Sequence, residues 1–255
     1  MDVKGRGVLV TGGASGIGAS VVRRLSLAGA RVAIIDRDAD GANRIADEVA
    51  GLALVGDVAD PDIMPMFTSV VEDRFGRLDI VFLNAGTVGG QPGTSELDVE
   101  HYRRVVGVNV DHVVYGLSTA VPALRRAGGG TVIATASLAG LLPLASDPIY
   151  TLTKHAVVGY VRAAGATLAE EGIRVCALCP GFADTPLIAE QRDQFGEFPL
   201  LTADDVAGAV EAILDHGQGG EAWYVQPGRE PGPYGFRGVP GPGSGARPPA
   251  LKWGS

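Results

Sequence analysis

The chain has 255 residues, with 21 basic against 29 acidic side chains, so its formal charge is −8. Apolar residues make up 46% and charged residues 20%, the balance of a folded domain, which excludes a disordered chain and lacks the basic excess of a nucleic-acid binder. No stretch approaches the ~18 uninterrupted apolar residues of a membrane span. Met1–Arg6 runs directly into an apolar run, leaving no room for a signal peptide, and two cysteines fit a reducing compartment. The expectation is a cytoplasmic protein with neither a membrane nor a nucleic-acid partner.

Strands and helices alternate from the start. Gly7–Thr11 reads as a strand, followed by glycines and an apolar helix pattern through Ile17, Val21, Val22 and Leu25. Further strands are predicted at Arg31–Asp36, Leu52–Val55, Leu78–Asn84, Thr131–Thr135, Arg174–Cys179 and Ala222–Val225. Their apolar runs are continuous rather than alternating, which fits a parallel sheet buried on both faces. Helices are predicted at about Ala39–Ala50, Ile63–Phe75, Val99–Leu124, Tyr150–Glu170 and Thr202–His216. Repeated β-α units with right-handed crossovers give a Rossmann-type, doubly wound α/β domain of about seven strands with helices on both faces.

Residues 227–255 differ from the rest. Fifteen of these 29 residues are Pro or Gly, and the segment carries a net +3 against −11 for the body. Such a composition excludes a regular helix or a central strand. Two readings remain: a disordered tail, or an extended arm anchored on its own or a neighbouring subunit by Tyr234, Phe236, Val239 and Trp253. The chain therefore divides into a catalytic unit, 1–226, and a Pro/Gly-rich arm or tail, 227–255.

Thr11-Gly12-Gly13-Ala14-Ser15-Gly16-Ile17-Gly18 lies between the first strand and the first helix. Glycines there permit a tight turn and let the backbone approach a pyrophosphate resting on the positive end of the helix. Asp36 ends the next strand, 18 residues after the last glycine. A carboxylate at that point accepts hydrogen bonds from an adenosine ribose diol and repels a 2′-phosphate, favouring NAD over NADP. Arg37 beside it is able to bind a 2′-phosphate, so that preference stays open. Tyr150 and Lys154 sit four apart near the start of a predicted helix and so share a face. A neighbouring ammonium favours the phenolate, which makes the tyrosine a candidate general acid/base.

The spacing Thr-Gly-x-x-x-Gly-x-Gly resembles that of the short-chain dehydrogenase/reductase family, and further motifs follow in the family's order over about residues 5–226. Asn109, Ser137, Tyr150 and Lys154 match its catalytic tetrad. The resemblance implies that Ser137 orients the substrate oxygen and Tyr150 moves the proton. It implies that Lys154 tunes the tyrosine and holds the nicotinamide ribose, and that Asn109 completes a water-mediated relay. Gly12, Ser15, Gly16, Ile17 and Gly18 would bind the cofactor's phosphates. Asp57-Val58 and Asn84-Ala85-Gly86 would flank its adenosine half, and Pro180-Gly181 with Thr185 its nicotinamide. The chain departs from the family after the last strand, where Val225-Gln226-Pro227-Gly228-Arg229 replaces a Gly-Gly. That departure bears on assembly, for which the resemblance implies a homotetramer, with a dimer as the alternative.

Other features read as structural. Cys176 and Cys179 fall on one strand three apart, facing opposite ways, and the four histidines show no ligand spacing, so no metal is expected. His155 should face away from the site, and Arg103-Arg104 and Arg125-Arg126 read as solvated helix faces. Leu138–Leu144 and a flap from Phe182 to Leu200 are expected to line the substrate pocket, with Leu187, Ile188, Phe195 and Phe198 as apolar candidates and Val88 and Gln91 at its opening. With Arg192 the flap's only cation, a doubly charged phosphate substrate is disfavoured. The expected activity is NAD-dependent interconversion of an apolar or mixed secondary alcohol and its ketone. The alternatives are an NADP-dependent ketoacyl or carbonyl reductase, and a cofactor-binding protein without turnover.

Overall fold

A computed structural model of the protein describes residues 2–90 and 96–239. Gln91 and Trp253 therefore lie outside the described residues. The strands are β1 (Gly7–Thr11), β2 (Arg31–Asp36), β3 (Leu52–Val55), β4 (Ile80–Leu83), β5 (Gly130–Thr135), β6 (Ile173–Pro180), β7 (Ala222–Val225) and β8 (Gly232–Pro233). The helices are α1 (Gly16–Leu27), α2 (Ala39–Val49), α3 (Ile63–Phe75), α4 (Val99–Val106), α5 (His112–Ala127), α6 (Pro148–Leu168) and α7 (Ala203–His216). All eight strands form one sheet in the order β3-β2-β1-β4-β5-β6-β7-β8, the first seven parallel.

Side chains alternate across the sheet into two cores. Val8, Val10, Ile34, Phe82, Cys176 and Leu178 pack with α1, α2 and α7, while Leu9, Ile35, Val81, Leu83, Ala177 and Cys179 pack with α3, α5 and α6. This is why the strands read as continuous apolar runs: neither parity of residue reaches water. The two cysteines lie on opposite faces, free and buried, so they share neither a disulfide nor a ligand. The strand order reverses between β1 and β4, which opens a crevice at the carboxyl edge of the sheet where ligands of such folds bind.

The structure refines two expectations. Among the described residues the sheet has eight strands where about seven were expected, because the Pro/Gly-rich segment supplies β8, antiparallel to β7. Pro233 is tolerated because an edge strand can leave one side of its backbone unpaired, and Tyr234 N–H closes the pairing on the Ala222 carbonyl at 2.7 Å. The Arg162 guanidinium lies 3.6 Å over the ring of Phe236, which itself packs edge-on against Tyr234. The helix expected over Val99–Leu124 is likewise interrupted, by a π-helical turn at Gly107–Asp111 that separates α4 from α5. The wider turn buries Gly107, Val108 and Asn109 in succession, where an α-helix would rotate one of them outward; such turns recur at functional sites. Among the described residues no helix is long and apolar enough to cross a membrane.

Candidate active site

The crevice is a cleft of about 380 Å³ reaching from the β1–α1 turn to the start of α6. At its first end, Gly12 and Gly16 adopt left-handed φ of 66° and 50°. A Cβ on Gly18 would lie 2.0 Å from the Gly12 carbonyl oxygen, so only glycine lets the helix begin this close to the turn. Ser15 occupies the N-cap of α1 but its side chain makes no capping bond. The amides of the first turn therefore face the cleft without a side-chain acceptor, beside Gly12, Ser15, Gly16 and Ile17. By contrast, Asp38, Asp98, Asp147 and Thr202 each cap the helix that follows them.

The walls beside this turn are fixed by side chains bonded to backbone. Thr11, fully buried at the end of β1, accepts from Asn84 N–H at 2.8 Å and Ala85 N–H at 3.1 Å. The Asn84 amide donates back to the carbonyls of Thr11 and Gly12 and accepts from Thr135. Asp36 accepts from Ala14 N–H through one oxygen and from Asp38 N–H through the other, both at 3.0 Å. Both Asp36 and the exposed Arg37 line the cleft, together with Asn84, Ala85 and Gly86. Asp57 and Val58 line the same flank. Arg104, expected on a solvated face, reaches across from α4 to line the cleft and pairs with Asp57 at 2.9 Å. Its long side chain carries the charge from a half-exposed helix position to the rim; the pairs Arg125–Glu171 and Arg126–Glu72 remain on exposed faces.

At the other end, Tyr150 and Lys154 project from the first turns of α6 into the cleft. Ser137, at the N-cap of a short 3₁₀ turn after β5, accepts from Ala139 N–H and stands beside the Tyr150 phenol, whose ionisation it favours. Lys154 is buried, and its ammonium donates to the Thr135 carbonyl at 2.8 Å while standing 5.5 Å from the centre of the Tyr150 ring. Burial pulls the lysine down to about 8. Burial also pushes the tyrosine up to about 12, partly opposed by the neighbouring Ser137, with the Asp147 carboxylate adding to the rise. In the free protein, then, desolvation outweighs the lowering by Lys154 that the four-residue spacing suggested. Asn109 is buried behind the pair. Its side chain grips the backbone of Thr87, accepting from N–H and donating to C=O at 2.8 Å each, and donates to Thr153.

The mouth is closed by the chain after β6. Gly181 N–H bonds to the Val225 carbonyl, and the Ala183–Leu201 bridge pins the base of the flap. Thr185, Pro186 and Leu187 line the cleft, while Phe182, Phe195 and Phe198 stack on one another with ring centres 4.8–6.3 Å apart. Arg192 pairs with Asp184. His155 is exposed and bonded to its own helix backbone, facing outward as expected. No cluster of three metal-ligating side chains occurs among the described residues. Gly18, Asn109, Ser137, Pro180 and Gly181 are not among the residues that line the cleft; Ser137 adjoins it at the Tyr150 phenol and Asn109 through the Thr87 backbone.

Several residues at this site carried no role in the sequence reading. Thr11 was visible as the first letter of the glycine motif, yet nothing local tells that its hydroxyl serves two amides 73 and 74 residues away. His112, wholly buried, has Nδ1–H donating to Val108 C=O, which leaves Nε2 to accept from the Thr11 hydroxyl at 3.2 Å. Burial draws this ring down to about 4, with the Lys154 charge acting the same way, so it is neutral. Asp147 was legible only as a helix start, an Asp directly before Pro148.

A family model described as short chain dehydrogenase matches residues 6–195. Cyclohexanol dehydrogenase of an Acinetobacter species is 38% identical over 71% of this chain and 74% of its own length. The structure of a 3-ketoacyl-(acyl-carrier-protein) reductase from Brucella melitensis with NADH superposes with a TM-score of 0.81 at 32% identity, covering 89% of this chain and 99% of that one. A short-chain dehydrogenase from Burkholderia cenocepacia with NADP gives 0.80 at 28% identity, covering 88% and 98%. The chain belongs to the short-chain dehydrogenase family and is an NAD(P)-dependent oxidoreductase acting on CH–OH and C=O groups.

Proposed function

We propose that the protein is an NAD-preferring dehydrogenase of a small apolar or mixed secondary alcohol, with Tyr150 as general acid/base. The observation that carries this is the pairing, in one cleft, of an uncapped helix N-terminus at one end with Tyr150 and Lys154 at the other, Ser137 standing beside the phenol. The groups present fit a dinucleotide: the first-turn amides of α1 suit a pyrophosphate, and Asp36 opposes a 2′-phosphate. Asp57, Val58, Asn84, Ala85 and Gly86 would flank the adenosine half, and Pro180, Gly181 and Thr185 the nicotinamide. When bound, the nicotinamide supplies the hydride acceptor and, in its oxidised form, a positive charge.

The chain's own groups manage the oxygen and its proton. The substrate hydroxyl would lie between Ser137 and Tyr150, Ser137 orienting it and Tyr150 taking its proton as hydride leaves the carbinol carbon. In the reverse direction the phenol, kept protonated by the burial that holds it up to about 12, carries the proton that the carbonyl oxygen takes up. Lys154 would bond the nicotinamide ribose and bring its charge to the phenolate, and Asn109 would hold the π-turn through which a water relay passes. The flap offers Leu187 and the aromatic cluster to an apolar substrate, and its one cation, Arg192, already faces Asp184.

Tyr150→Phe tests the reading, with cyclohexanol and a panel of secondary alcohols as probes. Turnover should fall by at least about 100-fold, the low end for a general acid/base, with NADH affinity within about two-fold of wild type. Near-normal turnover would refute the assignment. Residues 227–255 are read as an arm on a catalytic unit of 1–226, and a homo-oligomer, tetramer or dimer, as the assembly; light scattering on the purified chain checks the latter.

A further inference from the structure

Asp147 is a nearly buried carboxylate, 9% exposed, that the proposed chemistry does not use. It stands three residues before Tyr150, at the N-cap of α6. Its Oδ1 accepts from Tyr150 N–H at 2.9 Å, an ordinary capping bond. Its Oδ2 points the other way and accepts from two consecutive backbone amides, Gly89 at 2.8 Å and Gly90 at 3.0 Å, on the loop that leaves β4. A cap alone needs one acceptor; the second oxygen is committed to a different segment of chain.

That loop forms the wall of the cleft at its reacting end. Thr87 lines the cleft beside Tyr150 and Lys154, with Val88 half-buried next to it. The loop is gripped at three points. Asn109 holds both polar groups of the Thr87 backbone, His101 Nε2–H donates to the Gly89 carbonyl, and Asp147 holds Gly89 and Gly90. The fit is close enough to exclude a side chain at 89, where a Cβ would lie 2.1 Å from Asp147 Oδ1. Asp147 also ties down the segment that precedes it. Its N–H donates to the Leu144 carbonyl, and Thr151 one turn on bonds both polar groups of Leu144, fixing the end of the segment after Ser137.

We propose that Asp147 is a positioning residue that clamps the β4 loop to the catalytic helix and thereby sets how substrate is held against Ser137 and Tyr150. The inference rests on the reading of Tyr150 as the acid/base, and it accounts for a carboxylate where a capping serine would serve the helix. An aspartate presents two oxygens in opposite directions; asparagine presents one oxygen and an amide that would meet N–H groups head-on.

Asp147→Ser separates the two functions, since serine can cap α6 but is too short to reach Gly89. The first measurement is hydrogen exchange on wild type and variant without substrate. The peptide spanning residues 86–90 should exchange at least about ten-fold faster, while the first turns of α6 stay within about two-fold. The second is steady-state oxidation of cyclohexanol or the best panel alcohol. KM should rise at least about ten-fold, with NADH affinity within two-fold and kcat within about five-fold. Asp147→Glu, which keeps the second acceptor, should recover part of the loop protection. Unchanged exchange in the loop refutes the clamp. Faster exchange with unchanged KM refutes its role in holding substrate. Should wild type oxidise none of the alcohols, the dehydrogenase reading and the substrate-holding role both fall, while the exchange result still decides the clamp.

Discussion

Replacing Thr11 by valine tests the idea that one buried hydroxyl holds the cleft wall. Valine keeps the shape and removes only the oxygen, which accepts from the amides of Asn84 and Ala85 and faces His112 Nε2. Its three nearest polar partners are then left unmet, with the Phe82 carbonyl a more distant fourth at 3.5 Å. A buried group without a partner costs about 1–3 kcal/mol. His112 Nε2 should bear that cost in full, because the ring is wholly buried. The two amides border the cleft, where water can partly replace the lost acceptor, so a total of about 2–4 kcal/mol is expected. For a chain of this size each kcal/mol lowers Tm by about 2–4 °C, so thermal unfolding should begin about 4–16 °C lower.

The same change loosens Asn84 and Ala85, and NADH affinity, read by fluorescence titration, should weaken at least three-fold. Thr11→Ser keeps the hydroxyl and serves as the control for the lost methyl. A double-mutant cycle of Thr11→Val with His112→Leu should return a coupling of about 1–2 kcal/mol, in the range for groups in direct contact. If valine and serine cost the same, or if the two sites add independently, the hydroxyl does not hold this wall.

Asp36→Ser removes the charge opposed to a 2′-phosphate. Each charge-assisted hydrogen bond lost from a ribose is worth about 1.5–3 kcal/mol, so kcat/KM with NAD should drop at least ten-fold and the NADP/NAD ratio rise at least 100-fold, and an unchanged ratio refutes the assignment. His112, drawn down from 6.5 to about 4 by burial, binds its proton more readily unfolded than folded. Its share of stability is therefore full above pH 6.5 and is lost as pH falls toward 4, at 1.36 kcal/mol per pH unit of pKa difference. Wild type should lose about 2 kcal/mol between pH 7.5 and 5 that His112→Gln does not lose, as read by urea unfolding at both pH values; parallel losses refute the assignment. Ending the chain at Gln226 removes β8 and bares the backbone of β7, an edge open to pairing with other chains. Light scattering should then report a larger or aggregating species, and an unchanged mass and Tm would reduce the arm to a passenger.

Much of this molecule was legible because parallel strands buried on both faces leave a strong local signature. Gly7–Thr11, Arg31–Asp36, Leu52–Val55 and Ala222–Val225 are bounded in the structure where their apolar runs end. The glycine turn and the Tyr150–Lys154 spacing were legible for a similar reason, since both are statements about a few neighbouring residues. What escaped is non-local. The π-turn at Gly107–Asp111 interrupts a run whose periodicity continues through it, and only packing against the β4 loop shows why Val108 and Asn109 both turn inward. Arg104 reads as solvent-facing because the sequence places its Cα on an exposed helix and not its guanidinium beside Asp57. What sets the tyrosine's ionisation in the free protein is non-local too. Spacing counts the nearby ammonium, whereas the burial that dominates is a property of everything packed around the ring.

The non-local bonds share one pattern. Thr11 and Asn109 stand on regular elements and Asp147 at a helix cap, and each spends polar atoms on the backbone of a loop at the carboxyl edge of the sheet, while Lys154 serves the carbonyl of Thr135, the last residue of β5. Loops there cannot pair as strands do, and their amides and carbonyls would otherwise face a cleft that must exclude water to be useful. A side chain fixed by its own helix or strand is a better partner than water, because its position is settled by the packed core behind it. Each of these four groups therefore satisfies backbone at that edge and sets a distance within the cleft by the same bond. That is why the cleft keeps its shape with glycine-rich turns at its walls, and why the most informative substitutions are those that remove a single oxygen while leaving the volume in place.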